Sequence, residues 1–180
     1  MAEPLNPKQL EKEGKAAYQR GDFLAAARAF QAAAQGYAAI GDALTSAEMS
    51  NNVSVALLQG GDAPAALEAV DATPAIFAGA GDVRRQAMAL GNRAATLEAL
   101  KRFDEAAEDY EHSAELFKQI GEDGLRANVL QSLSSLQLRT GRQLQALASM
   151  QAGLEDIERP TPQQSLLKRL LRVPFHMLGK

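Results

Sequence analysis

The sequence predicts an all-α fold of helices packed in consecutive pairs. Three features point to this. A Gly-Asp punctuation recurs every twenty residues, small and large residues alternate in one phase every forty, and aromatic residues make up only 5% of an alanine-rich chain. Small side chains let helices approach closely, which favours helix-on-helix packing over a sheet.

The punctuation sets the elements in order. Gly21-Asp22, Gly41-Asp42, Gly61-Asp62 and Gly81-Asp82 fall at steps of twenty; Gly121-Glu122 and Gly141-Arg142 keep the phase, and Lys101-Arg102 is the one gap. Glycine takes the left-handed conformation that ends a helix, and aspartate caps the start of the next. Each step is therefore one helix and one tight turn, with helices expected near 7–20, 23–40, 43–60, 63–80, 83–100, 103–120, 123–140 and 143–158. Asn6-Pro7 is a start signal, with proline at the first helical position. Pro74 falls inside the fourth helix and is expected to break it near Asp71 to Thr73, because it lacks an N–H and clashes with the preceding turn. The triplet Arg20-Gly21-Asp22 has the form of an integrin-binding motif, yet it is one of these turns, and the punctuation accounts for all of them at once.

Alternate steps resemble each other most. GDFLAAARAFQAAA from Gly21, GDAPAALEAVDATP from Gly61, KRFDEAAEDYEHSA from Lys101 and GRQLQALASMQAGL from Gly141 align at a forty-residue period. Ala26, Ala66, Ala106 and Ala146 share one position, and Phe30, Val70, Tyr110 and Met150 follow one helical turn later. A small residue and then a large one on the same face makes a close contact followed by a knob.

This pattern resembles the tetratricopeptide repeat. The matching features are the Ala-x3-Phe step, Gly14 upstream of it, and LGNRAATLEALKRFDEAAEDY over residues 90–110. HEAT repeats share the period, but the small-then-large phase favours the tetratricopeptide reading. The resemblance covers Asn6 to Glu158, in four repeats of about 6–41, 42–81, 82–121 and 122–158. It implies a right-handed superhelical solenoid of four helix-turn-helix repeats plus a C-terminal capping helix. A forty-residue period resembles the extended variety found in kinesin light chains and spindle-orientation adaptors. The implied function is that of a protein–protein adaptor, which takes a peptide in the concave groove formed by the first helix of each pair.

The composition argues against chemistry of the chain's own. There is no cysteine, so disulfides and thiolate sites are excluded, which fits a reducing, cytoplasmic setting. The first fifteen residues lack the apolar core of a signal peptide. The two histidines are His112 and His176. Glu108, His112 and Glu115 share a helical face, but zinc normally takes three or four ligands richer in His or Cys, so they read as a solvated acidic face and no metal or cofactor is expected. No Gly-rich phosphate loop is present, since Gly60-Gly61 lacks the Lys and Ser/Thr that follow in one. The body before Arg159 carries 14 basic and 22 acidic residues. With few aromatics as well, it is unsuited to nucleic acid.

The groove face can be read from helical spacing. In the second repeat Ser50, Val53, Ser54 and Leu57 pack inward, leaving Glu48, Asn51, Asn52, Val55, Leu58 and Gln59 on the opposite face. Steps of forty give Met88, Gly91, Asn92, Ala95, Glu98 and Ala99, then Asn128, Gln131, Ser132, Ser135, Leu138 and Arg139. The first repeat supplies Lys8, Glu11, Lys12, Lys15, Tyr18 and Gln19. Asn52 and Asn92 are in register, and an amide can both donate to and accept from a peptide backbone. The resemblance implies that they form an asparagine ladder holding an extended peptide. Lys12 and Ser132 stand at the corresponding places, so the ladder is confined to two repeats; the competing reading is that both amides stabilise neighbouring helices. Gly91 and Ala95 leave space beside Asn92. Two cations of the family's chaperone-tail carboxylate clamp are missing, so an acidic chaperone C-terminus is not the expected partner. Arg93 is phased between helices, where an internal ion pair is expected.

From Arg159 onward there are five basic residues and no acidic one. Leu166, Leu167, Leu170 and Leu171 share one arc of a helix expected at 161–173, and Lys168, Arg169 and Arg172 share the other. This segment reads either as a cap over the last repeat or, with the tail 174–180, as a weak anchor on an anionic membrane surface. The second reading would make the chain a scaffold that self-associates or docks on a membrane.

Overall fold

The computed structural model describes residues 6–155 and residue 165. The expected helix at 161–173, apart from Ser165, and the tail 174–180 lie outside the described residues. Among the described residues every regular element is helical: α1 Pro7–Gln19, α2 Phe23–Ala39, α3 Ala43–Gln59, α4 Ala63–Val70, α5 Thr73–Gly79, α6 Val83–Ala99, α7 Phe103–Gln119, α8 Asp123–Arg139 and α9 Gln143–Glu155. No described helix is long and apolar enough to cross a membrane.

The turns have the chemistry the punctuation implies. At Gly21 the backbone N–H donates to the Tyr18 carbonyl at 2.9 Å, and the Asp22 N–H reaches back to Ala17 at 3.0 Å. These two bonds satisfy carbonyls that the end of α1 would otherwise leave unpaired. The same pair recurs at Gly41, Gly61, Gly81, Lys101, Gly121 and Gly141. The six glycines take φ of 70–87°, and Lys101 takes 62°. The gap in the glycine series is thus a gap in residue type only, since the lysine adopts the left-handed conformation at a steric cost. Asp22, Asp42, Asp62 and Asp82 each accept from the backbone N–H three residues on, at 2.9–3.1 Å. Asp22 of the Arg-Gly-Asp triplet is therefore a helix cap.

The fourth helix breaks as the proline requires. Pro74 has no N–H to give the Val70 carbonyl, and the Thr73 hydroxyl donates to that carbonyl instead, at 2.9 Å. The chain turns at Asp71-Ala72 and restarts as α5, which buries Phe77.

The chain divides into two compact units, one running to Asp109 and the other starting at Tyr110, within α7. In the first unit, α1, α2 and α3 share a core of Ala17, Ala26, Phe30, Ala33, Met49 and Val53. The approach of α1 to α2 depends on Gly14, where a Cβ would lie 2.7 Å from the Phe30 ring. Ala47 of α3, Phe77 of α5 and Ala89 of α6 form a second cluster. Arg93 makes the internal pair expected of it, donating to both Asp109 oxygens at 2.7 and 2.8 Å. In the second unit α8 packs on α9. Ser134 donates to the Ala146 carbonyl at 2.9 Å, Ser149 donates to Gln137 Oε1 at 2.8 Å, and Gly153 lets the Leu130 side chain close in. Ala26, Ala66, Ala106 and Ala146 are all fully buried, so the small position of the period is the close-contact position in every pair.

Candidate partner-binding surface

The first helices keep one row of side chains open to solvent. On α1 it is Lys8, Lys12, Lys15 and Gln19, all exposed. On α3 it is Glu48, Asn52 and Val55, half-buried, and Gln59, exposed. On α6 it is Met88, exposed, then Asn92 and Ala95, half-buried, and Ala99, exposed. In the second unit Asn128, Ser135 and Arg139 of α8 are exposed and Ser132 is half-buried. The spacing of four, three and four residues is that of one helical face.

In the row beside it one residue corrects the sequence reading. Asn51 was expected on the open face with Asn52. It is 7% exposed, held in the junction of α3 with α5 and α6, and its Oδ1 has no hydrogen-bond partner. Helical spacing alone could not separate the two, because they stand only 100° apart on the wheel. Which of them is covered depends on where α6 lies. Leu58, in the same row as Asn51, is half-buried, as is Glu98 on α6. Gln131 and Leu138, the corresponding residues of α8, are exposed.

Asn51, Asn52 and Met88 meet in one cleft of about 340 Å³ between α3, α5 and α6. Its wall is a charged group that sequence reasoning missed. Arg85 lies 5.2 Å from the Phe77 ring centre, donates to Asp82 at 2.7 Å and reaches Glu48 at 3.2 Å. The only signal in the sequence was the Asp-x-x-Arg spacing at the start of α6, which the capping role of Asp82 had already absorbed. The backbone N–H of Arg85 and then its side chain hold the Asp82 carboxyl below the ordinary carboxylate range. Arg84, which also lines the cleft, donates to the Met88 sulfur at 3.6 Å. The cleft therefore carries two carboxylates and two guanidinium groups around an amide pair, with no excess of either charge.

At the α1 end, Lys15 pairs with Glu11, which also accepts from the Tyr37 hydroxyl at 3.0 Å. The Lys15 hydrogen bond holds Glu11 below its usual range, against the opposing effect of burial, and the Tyr37 hydroxyl assists. Lys8 and Lys12 share the exposed face of this helix. In the second unit Asn128, Gln131, Ser135 and Leu138 meet Met150, Gly153 and Leu154 around a pocket of about 310 Å³. Among the described residues no group of three or more His, Asp and Glu side chains is placed to hold a metal ion.

The tetratricopeptide repeat family matches residues 85–158. The chain therefore carries a tetratricopeptide-repeat domain over that part of its length, from α6 through α9. No curated protein matches the chain.

Proposed function

We propose that the protein is a non-enzymatic adaptor that binds an extended segment of another protein along the open face of its first helices. Asn52 and Asn92 hold the segment by its backbone. The observation that carries this reading is the pair of half-buried amides in the same register on an otherwise accessible face, one of them bordering a cleft. An amide so placed can donate to a peptide carbonyl and accept from a peptide N–H, which gives affinity without reading side chains. Met88 and Ala95 offer apolar contact on either side of Asn92. The forty-residue period supports the likeness to the extended repeats of kinesin light chains and spindle-orientation adaptors, where such a ladder works.

The test is affinity capture from native lysate with the intact chain and with Asn52→Ala/Asn92→Ala. The adaptor reading expects a partner that the intact chain retains and the double variant loses, with deletion of residues 174–180 leaving capture unchanged. Equal recovery by intact chain and double variant refutes the amide ladder. If the short deletion instead abolishes association, the reading of the chain as a self-associating or membrane-docking scaffold replaces the adaptor.

A further inference from the structure

The cleft between α3, α5 and α6 holds one group that the fold leaves unmet. Asn51 lines it, is 7% exposed, and has no hydrogen-bond partner for its Oδ1. A buried acceptor in that state costs stability, because it has lost water and gained nothing. The charged groups around it are in the opposite condition. Asp82 Oδ2 takes Arg85 Nε at 2.7 Å and Nη2 at 2.6 Å, and Glu48 takes Nη1 at 3.2 Å. Arg85 also covers the Phe77 ring, so the cleft does not offer that aromatic face. Each terminal guanidinium nitrogen carries two hydrogens, so Arg85 keeps a donor on Nη1 and another on Nη2. The cleft thus has an open acceptor on α3, open donors on α6, and no net charge.

We propose that this cleft takes the side-chain carboxamide of a glutamine or asparagine in the bound segment. The inference rests on the adaptor reading for the source of that group, and adds one selected residue to a ladder that reads none. The class follows by fit. A cationic side chain would meet Arg84 and Arg85 where Glu48 and Asp82 are already engaged by Arg85. An anionic one would have to draw Arg85 from both carboxylates and brings no proton for Asn51. An apolar one would leave the Asn51 oxygen unmet and drier than before. A hydroxyl carries its donor and its acceptor on one atom, which suits poorly two partners that stand on different helices. A carboxamide carries them on two atoms, is neutral like the cleft, and can donate to Asn51 while accepting from Arg85. A half-turn of the Asn51 amide exchanges its oxygen and nitrogen, and a carboxamide meets either one. Met88 lines the same cleft and is 38% exposed, which gives the methylene stem an apolar contact. Asn52 lines it too, so a segment held there by its backbone has the cleft beside it.

The test uses the full-length chain and small probes. These are the N-acetyl N′-methylamides of glutamine, asparagine, serine, leucine, lysine and glutamate, each titrated to its solubility limit. The Asn51 side-chain amide signals, assigned by Asn51→Leu, and the Arg85 Nε–H signal report the cleft in nitrogen–proton correlation spectra. The proposal expects the glutamine or the asparagine probe to move both sets of signals saturably and the other four to leave them in place. Asn51→Leu keeps the bulk of the side chain and removes its amide, so the Arg85 signal should no longer respond, with far-UV circular dichroism checking that the helices remain. If that variant does not fold, Met88→Trp, at an exposed position of the lining, blocks the cleft and should abolish the response instead. The probes are too short to engage Asn52 and Asn92 together, so they report the cleft whether or not the ladder holds, while the capture test reports the ladder. Three results overturn the proposal. No probe moves either signal, which leaves Asn51 a structural amide only. The serine, leucine, lysine or glutamate probe moves them as strongly as the carboxamide probes do. Or the carboxamide response survives in folded Asn51→Leu or in Met88→Trp.

Discussion

Replacing Gly14 by alanine separates two effects of opposite sign. Gly14 lies in the middle of α1, where exchange of glycine for alanine ordinarily stabilises a helix by about 0.8–1.0 kcal/mol. Here the added Cβ would stand 2.7 Å from Phe30 Cδ1 and Cε1 and 3.0 Å from Cγ. Phe30 is only 4% exposed and belongs to the core shared by α1, α2 and α3, so its ring has little room to retreat. Overpacking of this kind costs about 1–3 kcal/mol. The clash wins, and Gly14→Ala is expected to lower stability by about 1 kcal/mol, a fall of about 2–4 °C in Tm for a chain of this size. Urea unfolding followed by far-UV circular dichroism measures it. The control is the same change in a Phe30→Leu background. Leucine has no ring and can rotate away, so Gly14→Ala should there be neutral or stabilising. A gain of about 1 kcal/mol in the wild-type background, the plain helix-propensity value, would refute the close approach of α1 and α2.

Other perturbations have defined outcomes. Lys101→Gly removes a side chain from a φ of 62°; relief of roughly 1–2 kcal/mol of left-handed strain, less the greater unfolded-state freedom of glycine, should raise stability by about 0.5–1 kcal/mol in urea titration. Arg93→Ala strips a two-point hydrogen-bonded partner from the largely buried Asp109 and should cost about 1.5–3 kcal/mol. Arg93→Lys should recover little of this, because an ammonium cannot make the planar double contact. The carboxyls of Asp42 and Asp82 are held below their ordinary range, first by the backbone N–H groups of Thr45 and Arg85 and then by the side chains of those residues. Their folded pKa values are thus below the unfolded value of about 3.9. Their contribution is complete above that pH and is lost as the pH falls through the folded values. Asp42→Asn/Asp82→Asn should therefore flatten the acid limb of the stability–pH profile, and an unchanged limb would contradict the cap geometry.

The helices were legible because their boundaries are written in turn chemistry, which is local. Gly-Asp pairs fix a left-handed residue and a cap whatever the rest of the chain does, and Pro74 breaks α4 from α5 for equally local reasons. Even the missing glycine at Lys101 was readable as a gap, although only the structure shows that the turn keeps its conformation there. The pairing of Arg93 was legible from phase, but its partner was not, because Asp109 comes from the next helix. The open surface was misread at Asn51. Whether Asn51 or Asn52 meets solvent depends on where α6 lies, a tertiary fact that no wheel of α3 contains. The same holds for the group of Arg85, Glu48, Asp82 and Phe77, whose members are scattered over 38 residues of sequence and joined only by packing.

The adaptor proposal puts a partner's backbone against Asn52 and Asn92. Their side-chain amide groups give their own signals in a nitrogen–proton correlation spectrum, assignable by Asn52→Ala and Asn92→Ala. Titration with a peptide taken from a captured partner should move both amide signals together, saturating at one peptide per chain. A peptide that binds with the same affinity while both signals stay in place would contradict the claim.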